Sequence, residues 1–217
     1  RYQITDAVVA HASWGRSFLL NSGTGRAGQG FAPEKGEGWE LGLSGRWPGV
    51  DLVVALFDIE KQNILANDPV DASFLAPVGQ LTSRGVEFDG SFEVSAAWRV
   101  VVNYAWTDAK ADDTAFASDA VLNVPEHSGG AFAVGTFERW KLTAGAAYVG
   151  DRAGALDGSG LILPSYWKAK AAVEYAVTPK IDVRLEVDNL FDEHYAQSSY
   201  SQVWIFPGAP RKVRASV

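Results

Sequence analysis

Apolar side chains recur at every second position along most of this 217-residue chain, without a sustained helical period. Residues 181–190 show the pattern best, where Ile181, Val183, Leu185 and Val187 alternate with Asp182, Arg184, Glu186 and Asp188. Successive side chains of a strand point to opposite sides, so this segment has one apolar and one charged face. The alternation predicts an all-β protein whose strands have two unlike faces.

Connections of two very different lengths separate these segments. The short ones are 48–49, 95–97, 138–139 and 178–180, and the long ones are 19–37, 63–79, 110–127, 150–164 and 191–210. Because every second connection is short, one end of an antiparallel sheet carries tight turns and the other carries long loops. Outer-membrane barrels have this asymmetry, with short turns in the periplasm and long loops outside the cell. About ten strands are predicted, over 4–18, 38–47, 51–62, 80–94, 98–109, 128–137, 140–149, 165–177, 181–190 and 211–217.

Aromatic residues supply a second indication of a membrane barrel. Four segments carry an aromatic pair eight residues apart on one face, namely Trp39 and Trp47, Trp98 and Trp106, Trp140 and Tyr148, and Trp167 and Tyr175. Eight residues at ~3.3 Å, tilted by ~40°, reach a height of roughly 20 Å, close to the ~25 Å apolar band of a membrane barrel. We expect these eight side chains to form girdles at the two headgroup levels.

A soluble β-sandwich or a small soluble barrel of lipocalin type would also alternate apolar and polar residues. A sandwich explains the period but not the repeated aromatic spacing, and its apolar faces require a second sheet. The prediction is therefore an antiparallel transmembrane β-barrel portion with short periplasmic turns and long extracellular loops.

Composition narrows the possible functions. The net charge of −7 argues against nucleic acid as a partner, and the absence of cysteine excludes disulfides, thiolate metal sites and a cysteine nucleophile. No stretch has the ~18 apolar residues of a transmembrane helix. The chain begins with Arg1 and contains no methionine, so we expect it to be part of a longer protein.

The C-terminal third contains a distinctive series of motifs: Asn189-Leu190-Phe191-Asp192, Tyr195, Ser198-Ser199-Tyr200, Trp204 and Pro207-Gly208-Ala209-Pro210-Arg211. This series resembles the closing segment of TonB-dependent outer-membrane receptors, specifically the ferric-siderophore receptors. Further pieces follow in the family's order: Glu40-Leu41-Gly42, Ser83-Arg84-Gly85-Val86-Glu87, Thr107-Asp108-Ala109, Asn123-Val124-Pro125, Tyr148-Val149-Gly150-Asp151-Arg152 and Leu163-Pro164.

The resemblance implies a bacterial outer-membrane receptor that takes up ferric siderophores with energy relayed by TonB. Such barrels have about 22 strands and a plugged lumen. Residues 1–217 would be the C-terminal portion of the barrel, with the plug and the earlier strands absent. The implied partners are a ferric siderophore, outer-membrane lipid and TonB, the last through the missing N-terminal region. No cofactor is implied, because iron enters only as siderophore cargo.

Charged residues on the polar faces would line the lumen, either to contact the plug and a hydrated path or, as we favour, as a solvated and mutually paired wall. These residues are Glu87, Asp89, Glu93, Lys168, Lys170, Asp182, Arg184, Glu186 and Asp188.

Ligand contacts are expected in the long loops, because aromatic and arginine side chains suit a bulky complex with oxygen-rich edges. The candidates are Tyr195, Tyr200, Trp204 and Phe206 in the last loop, with Phe116 and Arg152 elsewhere. For each aromatic, packing within the loop or a girdle position is at least as good an explanation.

Two other classes of function remain open at this stage. A self-contained ten-stranded barrel could act as a hydrolase or a small pore, and a soluble β-sheet module could bind a partner. The three histidines, His11, His127 and His194, lack metal-ligand spacing, and no residue set has the pattern of a catalytic triad. We therefore predict neither an enzyme nor a metal site.

Overall fold

The computed structural model describes residues 1–68, 70–71, 73–112, 119–155 and 159–217. Fifteen strands lie in this part of the chain: β1 Tyr2–Gln3, β2 Val8–Leu19, β3 Glu34–Trp47, β4 Val50–Asn67, β5 Leu75–Glu93, β6 Trp98–Asp112, β7 His127–Phe137, β8 Trp140–Val149, β9 Arg152–Ala153, β10 Ile162–Leu163, β11 Tyr166–Thr178, β12 Ile181–Asp188, β13 Ala196–Ser201, β14 Trp204–Pro207 and β15 Lys212–Ser216. None of the described residues form a helix long and apolar enough to cross a membrane.

One antiparallel sheet contains eleven of these strands in the order β1-β2-β3-β4-β5-β6-β7-β8-β11-β12-β15. Its ten longer strands correspond to the ten predicted segments, so the predicted all-β antiparallel architecture is confirmed. The remaining strands form two small hairpins, β9–β10 and β13–β14, inside the last two long loops. The alternation of short turns and long loops also holds, and we refer below to the short-turn end and the long-loop end of the sheet.

The first predicted strand is wrong at its beginning. The sequence predicts one strand over 4–18, but a tight turn separates β1 from β2. The Thr5 hydroxyl accepts hydrogen bonds from the backbone N–H groups of Ala7 and Val8, at 3.3 and 3.1 Å. Hydroxyl side chains stabilise turns in this way, a local effect that the apolar period does not reveal.

The sheet has two faces, defined by register. The outer face carries Leu41, Val102 and Leu185, and the inner face carries Glu40 and Arg184. Among the described residues the only buried hydrophobic side chains are small or lie in the loops: Ala55, Ala155, Leu163 and Ala172. The apolar side chains of the outer face remain exposed, with Leu41 at 49% and Leu185 at 46%. Side chains of the inner layer of a soluble sandwich would be buried, so this exposure does not fit a sandwich, and a lipid environment accounts for the face.

Register explains how the paired aromatics can lie level across the sheet. The row of paired residues that starts at Trp39 reaches Asp108 on β6, two residues beyond Trp106. Tyr148 belongs to the row of Tyr104, a further two residues lower. The aromatics of the long-loop end therefore step down by four residues over five strand-to-strand steps, which corresponds to a strand tilt of roughly 30°.

The sheet is open along two edges in the described part of the chain. Its order begins at β1 and ends at β15, and these two strands do not pair with each other. β1 pairs with β2 only through Tyr2↔Ala10 and Gln3↔Val9, so most of β2 also lacks a neighbour on that side. A self-contained, closed ten-stranded barrel is therefore not what these residues form.

Two neighbouring valines test the assignment of the faces. Val102 lies on the outer face midway between Trp98 and Trp106, and Val101 lies on the inner face. In the full-length protein, we expect Val102→Lys to lower the free energy of unfolding from lipid vesicles by about 2–4 kcal/mol, because it places a charge in the apolar band. Val101→Lys is the matched control and should change it little. Equal losses from both substitutions in urea titrations would contradict the assignment.

Candidate functional site: the inner face and the long-loop end

The inner face of β11, β12 and β15 carries a connected set of ion pairs. Arg184 donates to Glu174 at 3.2 Å and to Glu186 at 2.6 Å. Glu186 also lies 3.9 Å from Arg214 on the last strand. This part of the wall neutralises its own charge, so it needs no partner from outside the sheet.

Other predicted wall residues have different environments. Lys168 lies 3.7 Å from Asp188, and the ammonium of Lys170 lies 5.6 Å from the ring centre of Phe132. Asp182 has no ion pair with any described residue. The wall residues of β11 and β12 all lie on the same side of the sheet as Arg184, which is the inner face.

The acidic residues of β5 form a second group on the inner face. Glu93, near the short-turn end, pairs with Arg99 at 2.8 Å. Glu87 and Asp89 make no ion pair within the described residues. The two halves of the inner face therefore differ, because the β11–β15 half is largely paired whereas Glu87 and Asp89 keep uncompensated charge.

An apolar strip on the inner face of β4 was not predicted. Val53, Ala55, Phe57 and Ile59 lie on this face, and the ring of Phe57 lies so close to Gly85 that a β-carbon there would come within 2.7 Å of it. The sequence contains a signal, because residues 50–57 are apolar at both parities apart from one aspartate. The expectation that the inner face is polar throughout is therefore wrong for β4.

The eight predicted girdle aromatics lie on the outer face, in two groups at the two ends of the tilted strands. Neighbouring members pack together: the ring centres of Trp140 and Tyr175 are 4.5 Å apart, and those of Tyr148 and Trp167 are 4.9 Å apart. Sequence spacing missed Trp14, which pairs in register with Trp39. The group at the long-loop end consists of Trp39, Trp106, Tyr148 and Trp167. The group at the short-turn end consists of Trp47, Trp98, Trp140 and Tyr175.

Arg152 lies at the centre of the packed loops, with only 4% of its surface exposed. Its guanidinium donates to the backbone carbonyls of Ala196 at 2.6 Å and Gln197 at 3.1 Å. It also lies over the ring of Tyr166, which stacks on Tyr195 with ring centres 4.1 Å apart. Arg152 and Tyr195, two of the predicted ligand residues, therefore contact the last loop and the beginning of β11 in this structure.

A reciprocal amide contact joins two long loops. The Asn123 side chain donates to the backbone carbonyl of Ser199 and accepts from its N–H, both at 2.8 Å. The amide group of Asn123 thus takes the place of a neighbouring strand, because it pairs with both the N–H and the carbonyl of one residue of β13. Ser199 is buried, and its hydroxyl donates to the carbonyl of Gly154 in the intervening loop. Three long loops are thus joined at Ser199.

The base of the last loop is closed by the Asn189-to-Asp192 turn. Asn189 is 1% exposed; its amide donates to the carbonyls of Glu193 and Ala209 at 2.9 and 3.1 Å. Asp192 accepts a hydrogen bond from the Arg211 N–H at 2.8 Å. The segment that carries the family resemblance therefore ties both ends of this loop together.

The hairpin β13–β14 projects from this packed base. Tyr200, Trp204 and Phe206 are exposed, and the rings of Tyr200 and Trp204 lie 6.0 Å apart. Val203 lies at the tip and is also exposed. Of the predicted ligand residues, these three aromatics face solvent together, whereas Phe116 lies outside the described residues. The hairpin therefore presents an exposed aromatic surface, and the hydrogen-bonded loop residues at its base hold it in place.

The loops after β2 and β4 form a second packed group. The Asn21 amide donates to the carbonyl of Asn63 at 2.7 Å, and Arg26 pairs with Asp68 at 2.9 Å. The backbone N–H of Val70 donates to Asp68 and, with Arg26, holds the pKa of that carboxyl below its ordinary value despite burial. No group of three His, Cys, Asp or Glu among the described residues could hold a metal ion.

The chain is similar to known receptors over its whole length. It is 36% identical to the metal–pseudopaline receptor of Pseudomonas aeruginosa, covering 100% of this chain and 32% of the receptor. It is 31% identical to the ferrichrome outer membrane transporter/phage receptor of Escherichia coli, covering 99% of this chain and 30% of the transporter. The chain thus spans about a third of the length of these relatives. They are receptors and transporters, not enzymes.

The fold agrees with these relatives. A siderophore receptor from Acinetobacter baumannii superposes with a TM-score of 0.82 at 20% identity, over 98% of this chain and 34% of the receptor. The family model of the TonB dependent receptor-like β-barrel matches residues 1–190. The chain belongs to this family of barrels of the bacterial outer membrane.

Proposed function

We propose that this chain belongs to an outer-membrane receptor that takes up ferric siderophores and is energised through TonB. The observation that carries the proposal is the match of the whole chain to siderophore and metal-complex receptors. The siderophore supplies the iron ligands, so the protein needs to recognise only the outside of the complex.

Residues 1–217 are proposed as the C-terminal portion of the barrel. The two open edges support this, because unpaired strand edges are satisfied when further strands complete a barrel. Contact with TonB is assigned to an N-terminal region outside the chain. The uncompensated Glu87 and Asp89 and the apolar strip of β4 would face the interior of the completed barrel.

The outer-face aromatics are proposed as the membrane girdles. Their rings combine an apolar body with a polar edge, which suits the boundary between lipid tails and headgroups. The indole N–H of Trp106 donates to Glu126 at 3.0 Å, on the side of the long-loop end. The self-paired face of β11, β12 and β15 is proposed as a hydrated wall of the lumen.

Ligand contact is assigned to Tyr200, Trp204 and Phe206 on the β13–β14 hairpin. Aromatic rings suit the rigid, bulky surface of a ferric siderophore and contribute a large contact area with few rotatable bonds. Arg152 and Tyr195 are assigned a positioning role, since both are held within the loop base. This assignment changes their expected role from direct contact to support of the hairpin.

Uptake of radioactive iron tests the function directly. Iron-starved cells that express the complete reading frame should take up at least one of the ferric complexes named in the relatives: ferrichrome, ferrioxamine or a catecholate complex. Uptake should depend on TonB, because the proposed energy source lies in the inner membrane. Absence of TonB-dependent uptake for ferric complexes and for metal–pseudopaline would refute the proposal.

Trp204 tests the hairpin as the contact surface. In the full-length receptor we expect Trp204→Ala to weaken binding of the transported complex by about 2 kcal/mol, roughly 30-fold, because aromatic side chains that become buried on binding dominate such contacts. Val203→Ala is the matched control at the tip of the same hairpin and should leave affinity within about two-fold. Binding is measured by fluorescence quenching. If Trp204→Ala binds as tightly as the control, the hairpin is not the contact surface.

Arg152 tests the support of the hairpin. We expect Arg152→Met to leave the carbonyls of Ala196 and Gln197 without their donor, a loss of about 1–3 kcal/mol per unsatisfied group. Amide hydrogen exchange should accelerate in β13 and leave β12 unchanged, and ligand affinity should fall with it. Arg152→Lys keeps the charge but not the planar fork, so it should restore little of the protection. Unchanged exchange in β13 would argue against a positioning role.

A further inference from the structure

The long loops carry few cations, a feature that the proposed function does not use. Between the strands of the main sheet these loops are residues 20–33, 68–74, 113–126, 150–165 and 189–211, and their only lysine or arginine residues are Arg26, Arg152 and Arg211. Acidic residues are more numerous, and those that the structure describes are Asp68, Asp71, Asp119, Glu126, Asp151, Asp192 and Glu193. The loops therefore have an excess of negative charge.

Each of the three loop arginines already has a partner within the chain. Arg26 pairs with Asp68 at 2.9 Å, and Arg211 lies 3.9 Å from Asp192. Arg152 is buried, and its guanidinium donates to backbone carbonyls of the last loop. An anion that approached the loops would therefore have to compete for these arginines with the groups that they already bind.

Five exposed loop acids, in contrast, have no lysine or arginine partner among the described residues. They are Asp71, Asp119, Glu126, Asp151 and Glu193. Charges of one sign that are distributed over a surface add up to a field that attracts or repels a charged ligand before contact. The described loops therefore repel a negatively charged complex.

The aromatic hairpin that projects from these loops is itself uncharged. No aspartate, glutamate, lysine, arginine or histidine occurs between Tyr195 and Pro210. Tyr200 and Trp204 are exposed, and each combines an aromatic ring with one neutral hydrogen-bond donor. The face of an aromatic ring carries partial negative charge, so it does not attract an anion. The hairpin is thus suited to a bulky, uncharged ligand.

Ferric siderophore complexes differ in exactly this property. Three hydroxamate groups neutralise Fe(III), because each of them brings a single negative charge. Three catecholate groups bring two charges each, so their ferric complex is strongly anionic. Such an anion is bound best by arginine or lysine, whereas the oxygens of an uncharged trihydroxamate complex can accept hydrogen bonds from hydroxyl and indole groups.

We propose that the receptor selects uncharged ferric trihydroxamate complexes and discriminates against anionic ferric catecholates. The hairpin supplies aromatic contact area, and the Tyr200 hydroxyl and the Trp204 indole N–H donate to oxygens of the complex. The unpaired loop acids repel the anionic alternative. This inference rests on the proposed function, because it requires that the hairpin contacts the transported complex, and it narrows that function to one class of siderophore.

Binding to the full-length receptor in neutral detergent tests the selection by charge. Fluorescence quenching compares the ferric complex of a trihydroxamate with that of a tris-catecholate. We expect the uncharged complex to bind at least about ten-fold more tightly at low salt, and a rise in ionic strength from about 0.02 M to about 0.5 M should reduce the difference by screening the repulsion. Equal or tighter binding of the tris-catecholate at low salt would overturn the proposal.

The loop acids are tested by the double substitution Asp151→Asn with Glu193→Gln. Because it removes two unpaired negative charges, it should raise the affinity for the tris-catecholate about three-fold and leave that for the trihydroxamate within about two-fold. The matched control, Asp6→Asn with Glu138→Gln, removes two acids at the short-turn end and should change neither affinity. If the loop variant and the control bind the tris-catecholate equally well, the acids do not set the selection.

The charge of the hairpin is tested at Val203, which is exposed at its tip. Val203→Arg introduces a cation beside Trp204, so it should strengthen binding of the tris-catecholate about three- to ten-fold. Val203→Gln is the matched control with a polar but uncharged side chain, and it should leave both affinities within about two-fold. An arginine variant that binds the tris-catecholate no better than the glutamine variant contradicts the proposal.

Uptake of radioactive iron distinguishes failure of this inference from failure of the proposed function. TonB-dependent uptake of ferric catecholates without uptake of ferric trihydroxamates would overturn the inference and leave the proposed function intact. Absence of TonB-dependent uptake for every complex would overturn both. We expect TonB-dependent uptake of the trihydroxamate complex.

Discussion

Hydrogen bonding between neighbouring strands is the interaction on which the rest of this structure depends. The main sheet has no apolar core of its own, and the few buried hydrophobic residues described are small or lie in the loops. Backbone pairing therefore sets the geometry of the sheet, while the surroundings of each face, lipid outside and the barrel interior inside, stabilise its side chains. The stagger of the ladders tilts the strands, and the tilt brings aromatics on different strands to one level. Polar and apolar surfaces are separated by face and not by depth.

The long-loop end follows another principle. Here polar side chains replace an apolar core: Arg152, Asn123 and Asn189 each satisfy backbone groups of a different loop segment. Such contacts are directional, so they fix the relative positions of the loops more narrowly than apolar packing would. The exposed aromatics of the last hairpin thus stand on a support that specific hydrogen bonds define. The described parts of these loops are joined to one another by hydrogen bonds, and the last hairpin presents its aromatic side chains to solvent.

Much of the fold could be predicted because the strands obey a strict period of two. Parity alone places Arg184 on one face and Leu185 on the other, and register agrees for both. The loop site could not be predicted in the same way. Whether Arg152 faces a ligand or the carbonyl of Ala196 depends on how distant loops meet, and no local period encodes that meeting. The apolar inner face of β4 marks an intermediate case, since its unbroken apolar run was visible but a lumen was expected to be polar.

The order of strands in the main sheet also bears on how the protein assembles. Each long strand pairs with its nearest long neighbour along the chain, from β2 and β3 to β12 and β15. Closing such pairs costs little chain entropy, because short turns or single loops separate the partners. The sheet can therefore grow by addition of one hairpin at a time, each using the free edge of the previous one as a template. The free edge of the short strand β15 is a template of the same kind, so a further strand could pair with it.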